Sequence, residues 1–181
     1  MSKYQTGVSL LELTIALSIV LTISGVIAGG FAANRANARF DAARSELMSV
    51  ATAASQIARN GNIAGITTRA IAESRLVPEP MIHGSGPAIR LTHSLGGQFI
   101  VSGQPIPGVA GATGIRIEMT GLNQGRCEDA AITFAERFDV ITAGASVVKN
   151  RLLSSPIVPS RALAETACSS APGELRFFLV P

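Results

Sequence analysis

A single carboxylate interrupts the most apolar stretch of the chain. Glu12 lies in VSLLELTIALSIVLTISG, and no other ionisable side chain occurs between Leu13 and Asn34. A carboxylate at membrane depth costs on the order of 2.5 to 3.5 kcal/mol, so it normally needs a charged partner. If the chain were cut after Gly7, the new amino group of Val8 would lie four residues before Glu12. It could then neutralise the Glu12 of a neighbouring chain, so this spacing favours ion pairing between chains.

The residues that most often carry enzymatic chemistry are few. His83 and His93 are the only histidines, and we expect the first in a loop and the second on the surface of a strand. A Cys-His nucleophile would need an unpaired cysteine, and no third group is evident. The glycine-rich GSGPA and GGQ lack the strand, loop and helix order of a phosphate site. Without CxxC or HxxxH, metal ligands are also missing. We predict a protein that is not an enzyme, with no catalytic residue, cofactor or metal site.

Charge and length limit the remaining classes of function. The 181 residues carry a net charge of +3, and the basic side chains are scattered from Lys3 to Arg176 with acids between them. No concentrated phosphate-binding face is visible, so we expect no direct binding of nucleic acid. The length suits one domain plus an N-terminal helical element.

Residues 8–31 form the element that must position Glu12. As a helix they would span about 36 Å at roughly 1.5 Å per residue, enough to cross a bilayer core of about 30 Å. One alternative is a secretory signal cleaved near Ala36-Asn37-Ala38, although its apolar region would exceed the usual length of about 7 to 15 residues. Another is a plain anchor with Glu12 near the interface, which leaves the position of the carboxylate unexplained.

The helix should continue to about residue 60, because apolar residues recur at spacings of three and four. These are Phe40, Ala43, Leu47, Val50, Ala54 and Ile57. The other faces carry Arg39, Arg44, Glu46, Gln56 and Arg59. The sequence ARNGN supplies a stop, with a basic last turn and Gly61 as a C-terminal cap. Residues 8–31 must therefore pack in lipid or in an assembly, whereas residues 32–60 can pack against a globular head.

Residues 61–181 read as a strand-rich head. ITTRAIAESRLVPEP predicts a short helix ended by prolines. AIRLTHSL and QFIVS flank Gly96-Gly97, a two-residue hairpin signal, and GIRIEM alternates apolar residues inward with Arg116 and Glu118 outward. The remaining predicted helices are RCEDAAITFAER and PSRALAETAC, and the remaining predicted strands are FDVIT, SVVK and ELRFFLV. GQPIPGVAGATG is predicted to be a loop.

The segment KYQTG followed by VSLLELTIALSIVL resembles the class III signal of type IV prepilins. In that family a short leader ends in Gly, the mature chain begins with a hydrophobic residue, and Glu is the fifth mature position; Gly7, Val8 and Glu12 match. The resemblance implies cleavage after Gly7 by a prepilin peptidase, N-methylation of Val8, and pairing of Glu12 with the Val8 amine of the adjacent subunit. The single basic residue Lys3 and the use of Val8 in place of Phe depart from the pattern.

The head also resembles the type IVb pilins of conjugative thin pili, in TTRAIAESRLVPEPMI, GGQFIV, the helix around Cys127, and AETAC. The implied fold class is α+β: a long N-terminal helix, transmembrane in its first half, packed on an antiparallel β-sheet head. The predicted divisions are a leader over 1–7, an apolar helix half over 8–31, an amphipathic half over 32–60 and the head over 61–181.

Cys127 and Cys168 are the only cysteines. In an exported protein pairing is their default fate, and two buried free thiols are the alternative. The bond would close a loop of about 42 residues, which on the chain-entropy model contributes about 4 kcal/mol. In pilins such a bond delimits an exposed, variable region, here 127–168, that would contact other subunits and the surroundings.

These observations predict a structural subunit, the major pilin, of a bacterial type IVb-like pilus used in adhesion or conjugation. The implied partners are identical subunits, the prepilin peptidase, the pilus assembly machinery and, before assembly, the membrane. The chain would wait in the inner membrane with its head in the periplasm and end in an extracellular pilus. Two alternatives remain open: a minor pilin or type II secretion pseudopilin, and a membrane-anchored ligand-binding domain.

Overall fold

The computed structural model describes residues 10–61, 63–171 and 173–181, and within these ranges the side chains of residues 12 and 23–33 lie outside the description. The described helices are α1 (Leu10–Asn60), α2 (Thr68–Glu73), α3 (Gln124–Thr133) and α4 (Arg161–Ser170). The described strands are β1 (Ile82–His83), β2 (Arg90–Thr92), β3 (Gln98–Pro105), β4 (Thr113–Thr120), β5 (Val140–Ala143), β6 (Ser146–Asn150) and β7 (Glu174–Leu179). The chain divides into two compact units, Met1–Phe40 and Asp41–Pro181.

The described strands form one antiparallel sheet in the order β1-β2-β3-β4-β7-β5-β6. The C-terminal strand β7 therefore lies between β4 and β5, and it pairs with both. This insertion joins the hairpins on either side of β7 into a continuous sheet. The antiparallel sheet predicted for the head is confirmed.

One face of the sheet is the apolar core of the second unit, because side chains alternate along each strand and every second residue is apolar. The predicted inward residues of β4 are fully buried, and the partners of Ile117 and Met119 on the neighbouring strands are buried with them. The set comprises Phe99, Val101, Ile115, Ile117, Met119, Ile141, Leu175 and Phe177. Phe177 packs against Phe134 and Phe138, with ring centroids 5.6 and 4.7 Å apart.

The opposite face, called the second face from here on, carries Ser102, Arg116, Glu118, Arg176 and Phe178, which cross-strand pairing places side by side. The prediction that Arg116 and Glu118 point to solvent is wrong, since Glu118 is buried and Arg116 is half-buried. The reason is that irregular segments cover part of this face. Their apolar residues Val109, Ala112 and Leu152 pack on a cluster of Ile106, Val140 and Phe178.

The part of α1 in the second unit is buried along one stripe, as its spacing predicts. Ala43, Leu47, Val50 and Ala54 are at most 1% exposed, whereas Ile57 at the end of the predicted stripe is only half-buried. Phe40, the last residue of the first unit, is also half-buried. The helix ends at Asn60 with Arg59 in its last turn, as the sequence ARNGN predicts.

The turn between β2 and β3 differs from the prediction. The N–H of Gly96 donates to the carbonyl of His93 at 2.8 Å, so Ser94 and Leu95 occupy the centre of the turn, and the two glycines follow it. Gly96 adopts a φ of +92°. A Cβ on Gly97 would lie 1.7 Å from the carbonyl oxygen of Thr120. These glycines are therefore required by a left-handed backbone conformation and by close packing, and neither is a central turn residue.

Each of the three shorter helices begins directly after a polar N-cap residue. Thr67, Asn123 and Ser160 each accept a hydrogen bond from the backbone N–H three residues later, which satisfies one exposed donor of each first turn. The predictions of short helices in these three stretches are confirmed, and so are the strands β5, β6 and β7.

Candidate functional site

The first turns of α1 present an apolar surface. Eight large apolar side chains between Leu10 and Leu21 are 52–82% exposed. They are Leu10, Leu11, Leu13, Ile15, Leu17, Ile19, Val20 and Leu21. Exposed apolar area of this extent on one segment marks a site of contact with another protein or with lipid.

The hydroxyl groups in this stretch are satisfied inside the helix. Thr14 donates to the carbonyl of Leu11 and Ser18 to that of Ile15, both at 2.8 Å. Thr22 donates to the carbonyl of Ser18. Because their hydrogen bonds are made within α1, these side chains place little demand for water on the surroundings. The segment is thus compatible with apolar surroundings on every described side.

Within the described ranges, no helix combines the length and the apolarity that a membrane crossing requires.

The side chains predicted for processing and assembly lie outside the part of the chain that the structure describes. Gly7 and Val8 lie outside the described residues. Glu12 belongs to α1, but its side chain is outside the description. The predicted cleavage, methylation and ion pair therefore stay predictions.

The predicted disulfide is confirmed. Cys127 in α3 and Cys168 in α4 are bonded, with their Cα atoms 5.9 Å apart. Both residues are fully buried, and the alternative of two free thiols is wrong. The bond ties together the two helices that flank β5 and β6, so residues 127–168 form a closed loop of the head.

The closed loop is also tied to the C-terminal strand by a buried carboxylate. Asp139 is 2% exposed, and its Oδ2 accepts the backbone N–H of Val180 at 2.7 Å. The other oxygen pairs with the guanidinium of Arg151. In addition, the Asp139 N–H donates to the carbonyl of Phe178 at 2.9 Å. The hydrogen bonds to Val180 and Phe178 hold the loop to the C-terminal segment independently of the disulfide.

Lys149 is a buried cation in the same region. Its Nζ donates to the carbonyls of Ala135 and, at 2.7 Å, Phe138. Burial lowers the pKa of Lys149 and the neighbouring Arg151 lowers it further, while Asp139 and Glu136 act in the opposite direction. The ammonium group thereby joins β6 to the segment that follows α3. The strand pattern SVVK gave no sign of this role.

The prediction that His93 lies on the surface of a strand is wrong. It is 5% exposed rather than a surface residue, and its ring lies 5.0 Å from the ring of Phe99. Nδ1 accepts the N–H of Leu95 at 3.3 Å, so the proton is on Nε2, which donates to the carbonyl of Thr120 at 2.9 Å. The residue therefore fixes the turn between β2 and β3 in the neutral form. His83, predicted in a loop, is exposed at the end of the two-residue strand β1.

Glu46 reaches this turn from α1. Its two oxygens accept the N–H of Ser94 at 2.8 Å and the hydroxyl of Ser94 at 2.5 Å. The helical spacing assigned Glu46 to an outer face, and only the distant turn shows what it binds. A helix carboxylate and a buried histidine together hold the centre of the turn.

The neutral state of His93 leads to a prediction about pH. Burial lowers the pKa of His93, although the bond to Thr120 and the charge of Glu46 oppose this. Between the folded pKa and the ordinary value near 6.5, the unfolded chain binds a proton that the folded chain does not. We expect the free energy of unfolding to fall as the pH drops through this window, by at most about 1.4 kcal/mol per pH unit.

Equilibrium unfolding of the full chain between pH 7 and pH 5 measures this contribution. His93→Gln should be less stable at pH 7 but should depend less on pH, whereas the exposed His83→Gln should keep the wild-type slope. Equal slopes in wild type and His93→Gln would show that His93 does not control the pH dependence.

No potential metal site is found over the described ranges, since no three His, Cys, Asp or Glu side chains are grouped to hold an ion.

Comparison with known proteins identifies the architecture. No protein-family model matches the chain, and no curated protein sequence matches it. Among solved structures, the chain is similar to the crystal structure of a type IVb pilin from Salmonella typhi, at 16% sequence identity and a TM-score of 0.55. The match covers 76% of this chain and 98% of that chain. At this identity the likeness establishes the fold, which is that of a type IV pilin, and the predicted α+β class with a long helix and an antiparallel sheet is confirmed.

Proposed function

We propose that this chain is the major structural subunit of a bacterial type IVb pilus, and that it polymerises through α1. The observation that supports this most is the exposed apolar stretch between Leu10 and Leu21, on a chain with a pilin fold. At about 25 cal/mol per Å² of apolar surface kept out of water, these side chains need apolar surroundings, which the membrane supplies before assembly and copies of the same helix supply in the filament.

In this proposal, the processed amino terminus aligns each subunit with its neighbour during assembly. A prepilin peptidase removes residues 1–7 by cutting after Gly7 and then N-methylates Val8. The Val8 amine of one subunit neutralises the Glu12 carboxylate of its neighbour. This pairing removes a cost on the order of 2.5 to 3.5 kcal/mol for an isolated carboxylate in apolar surroundings.

The proposed life cycle follows from the division of the chain. Residues 8–31 span the inner membrane before assembly and line the filament core afterwards, while residues 32–60 pack on the head formed by residues 61–181. The head is in the periplasm first and on the extracellular pilus later. Its closed loop, 127–168, contacts neighbouring subunits and the surroundings. The pilus assembly machinery is the partner that builds the filament. The finished filament serves adhesion or conjugation.

Abundance tests the role of major subunit. Filaments sheared from the surface of the native host should contain this chain as their dominant protein, because each turn of the filament would be built from it. A trace amount in otherwise normal filaments would instead identify a minor pilin. Complete absence from surface filaments would favour a pseudopilin or a membrane-anchored binding domain.

A further inference from the structure

We propose that the second face of the sheet carries a binding site for a small hydroxylated carboxylate, of the sugar-acid type, recognised chiefly by Arg116. The site is a cavity of about 290 Å³ between β4, β7 and the turn that joins β5 to β6. Small-molecule pockets begin at about 300 Å³, so the cavity suits a compact ligand. It lies entirely within the head and does not depend on filament assembly.

Among the described residues, two guanidinium groups and no carboxylate line the cavity. Arg116 on β4 and Arg176 on β7 contribute side chains to its wall, while Glu118 and Glu174, which balance their charge, are not part of the lining. A ligand in the cavity can therefore contact the guanidinium groups of Arg116 and Arg176. Guanidinium groups suit the binding of an anionic group such as a carboxylate.

Each of the three guanidinium nitrogens of Arg176 already has a partner. Its Nε donates to Oε2 of Glu118 at 3.2 Å, and its Nη1 donates to the carbonyl of Gly144 at 3.2 Å. Its Nη2 pairs with Glu174. Arg176 and Glu118 are also directly opposite each other across β4 and β7. These contacts account for Arg176 as a structural residue that joins β7 to β4 and to the turn between β5 and β6.

Arg116 is not engaged in this way. Its closest carboxylate oxygen is Oε2 of Glu118, 3.7 Å from Nη2, and that oxygen already accepts from Arg176. The Nε of Arg116 is buried and has no hydrogen-bond partner among the described residues. The Oγ of Ser102, directly opposite on β3, is in the same condition. Buried polar groups are normally paired, so Arg116, which lines the cavity, has hydrogen-bonding capacity that the described residues leave unused.

The rest of the lining defines the class of ligand. Gln104 and Thr142 add an amide and a hydroxyl, which can bind hydroxyl groups of a ligand. Pro105 and Phe178 add an apolar wall that suits the C–H face of a sugar ring. A planar guanidinium binds a carboxylate through two parallel hydrogen bonds. A sugar acid combines all three features.

The test is a titration of the full chain in detergent micelles with sodium glucuronate, followed by ligand-detected NMR. Glucose is the uncharged control for the ligand. Arg116→Gln removes the charge but keeps a planar, polar side chain. Arg69→Gln is the matched control variant, because Arg69 is an exposed arginine paired with Glu73 at 2.7 Å on α2, and the change removes the same charge away from the cavity.

We expect saturable binding of glucuronate to the wild type and to Arg69→Gln, and no saturable binding of glucose. Arg116→Gln should bind glucuronate at least about tenfold more weakly, which corresponds to about 1.4 kcal/mol. Its near-ultraviolet circular dichroism should match the wild type, showing that the head is folded. Three results would each overturn the proposal: no saturable binding of glucuronate, equal binding by Arg116→Gln, or equal binding of glucose.

Discussion

Replacing Glu12 with alanine should reduce the yield of filaments by about two orders of magnitude while membrane insertion and leader cleavage continue. The isolated carboxylate costs on the order of 2.5 to 3.5 kcal/mol in apolar surroundings, and pairing with the Val8 amine of a neighbour removes that cost. Alanine has no such cost to remove, so the driving force for assembly is lost. At about 1.4 kcal/mol per factor of ten, the difference is roughly a hundredfold.

Filament counts by electron microscopy and immunoblots of sheared protein measure this effect. Glu12→Gln should behave like Glu12→Ala because it is also neutral, whereas Glu12→Asp keeps the charge and should retain part of the yield. Glu46→Gln is a control on the same helix, because Glu46 binds the turn at Ser94. It should lower the stability of the head and leave assembly through α1 intact. A normal filament yield from Glu12→Ala would rule out the pairing mechanism.

Removing both cysteines has the second large expected effect. Cys127 and Cys168 are separated by 41 positions. On the chain-entropy model, a loop of this length contributes about 4 kcal/mol to the free energy of unfolding. We expect the double variant Cys127→Ala/Cys168→Ala to lose most of that amount in urea unfolding of the full chain, and the reduced wild type to lose a similar amount.

Loss of the disulfide should disturb mainly the two helices that it joins, α3 and α4. Asp139 and Lys149 hold β5 and β6 through contacts that do not involve the disulfide. Hydrogen exchange that occurs by local opening of the folded head should therefore accelerate in α3 and α4 far more than in β5. A loss under about 1 kcal/mol would show that packing, and not the covalent bond, closes the loop, because that value lies well below the typical contribution of a disulfide.

The regular elements of the head could be predicted because their signals are local. Alternation in GIRIEM gives the buried side of β4, and the spacing of three and four gives the buried stripe of α1. A basic last turn followed by Gly61 marks the end of α1, and prolines mark the end of the next helix. The pairing of the two cysteines also followed from their number and the expected compartment.

The predictions failed where a residue's environment is set by a distant segment. His93 looks like a strand residue facing solvent, but the carbonyl of Thr120 and the ring of Phe99 enclose it. Glu46 looks like a solvent-facing helix residue, but it binds Ser94, 48 positions away. Neither contact leaves a periodic signal in the chain.

The second face of the sheet shows the same limit. Arg116 and Glu118 occupy polar positions of an alternating strand, which normally face water. Only the strand order, with β7 inserted between β4 and β5, places Arg176 beside them. The cavity and its orphaned Nε atom therefore arise from topology, and sequence reasoning could not find them.

The measurement that tests the central claim most directly is intact-mass and amino-terminal peptide analysis of this chain, recovered from sheared filaments of its native host. We predict a chain that begins at N-methylated Val8, with residues 1–7 removed. That result would show that the protein is a prepilin-peptidase substrate present in the filament. A chain that begins at Met1, or just after Ala38, would leave Glu12 without its proposed partner and contradict assembly through the processed amino terminus.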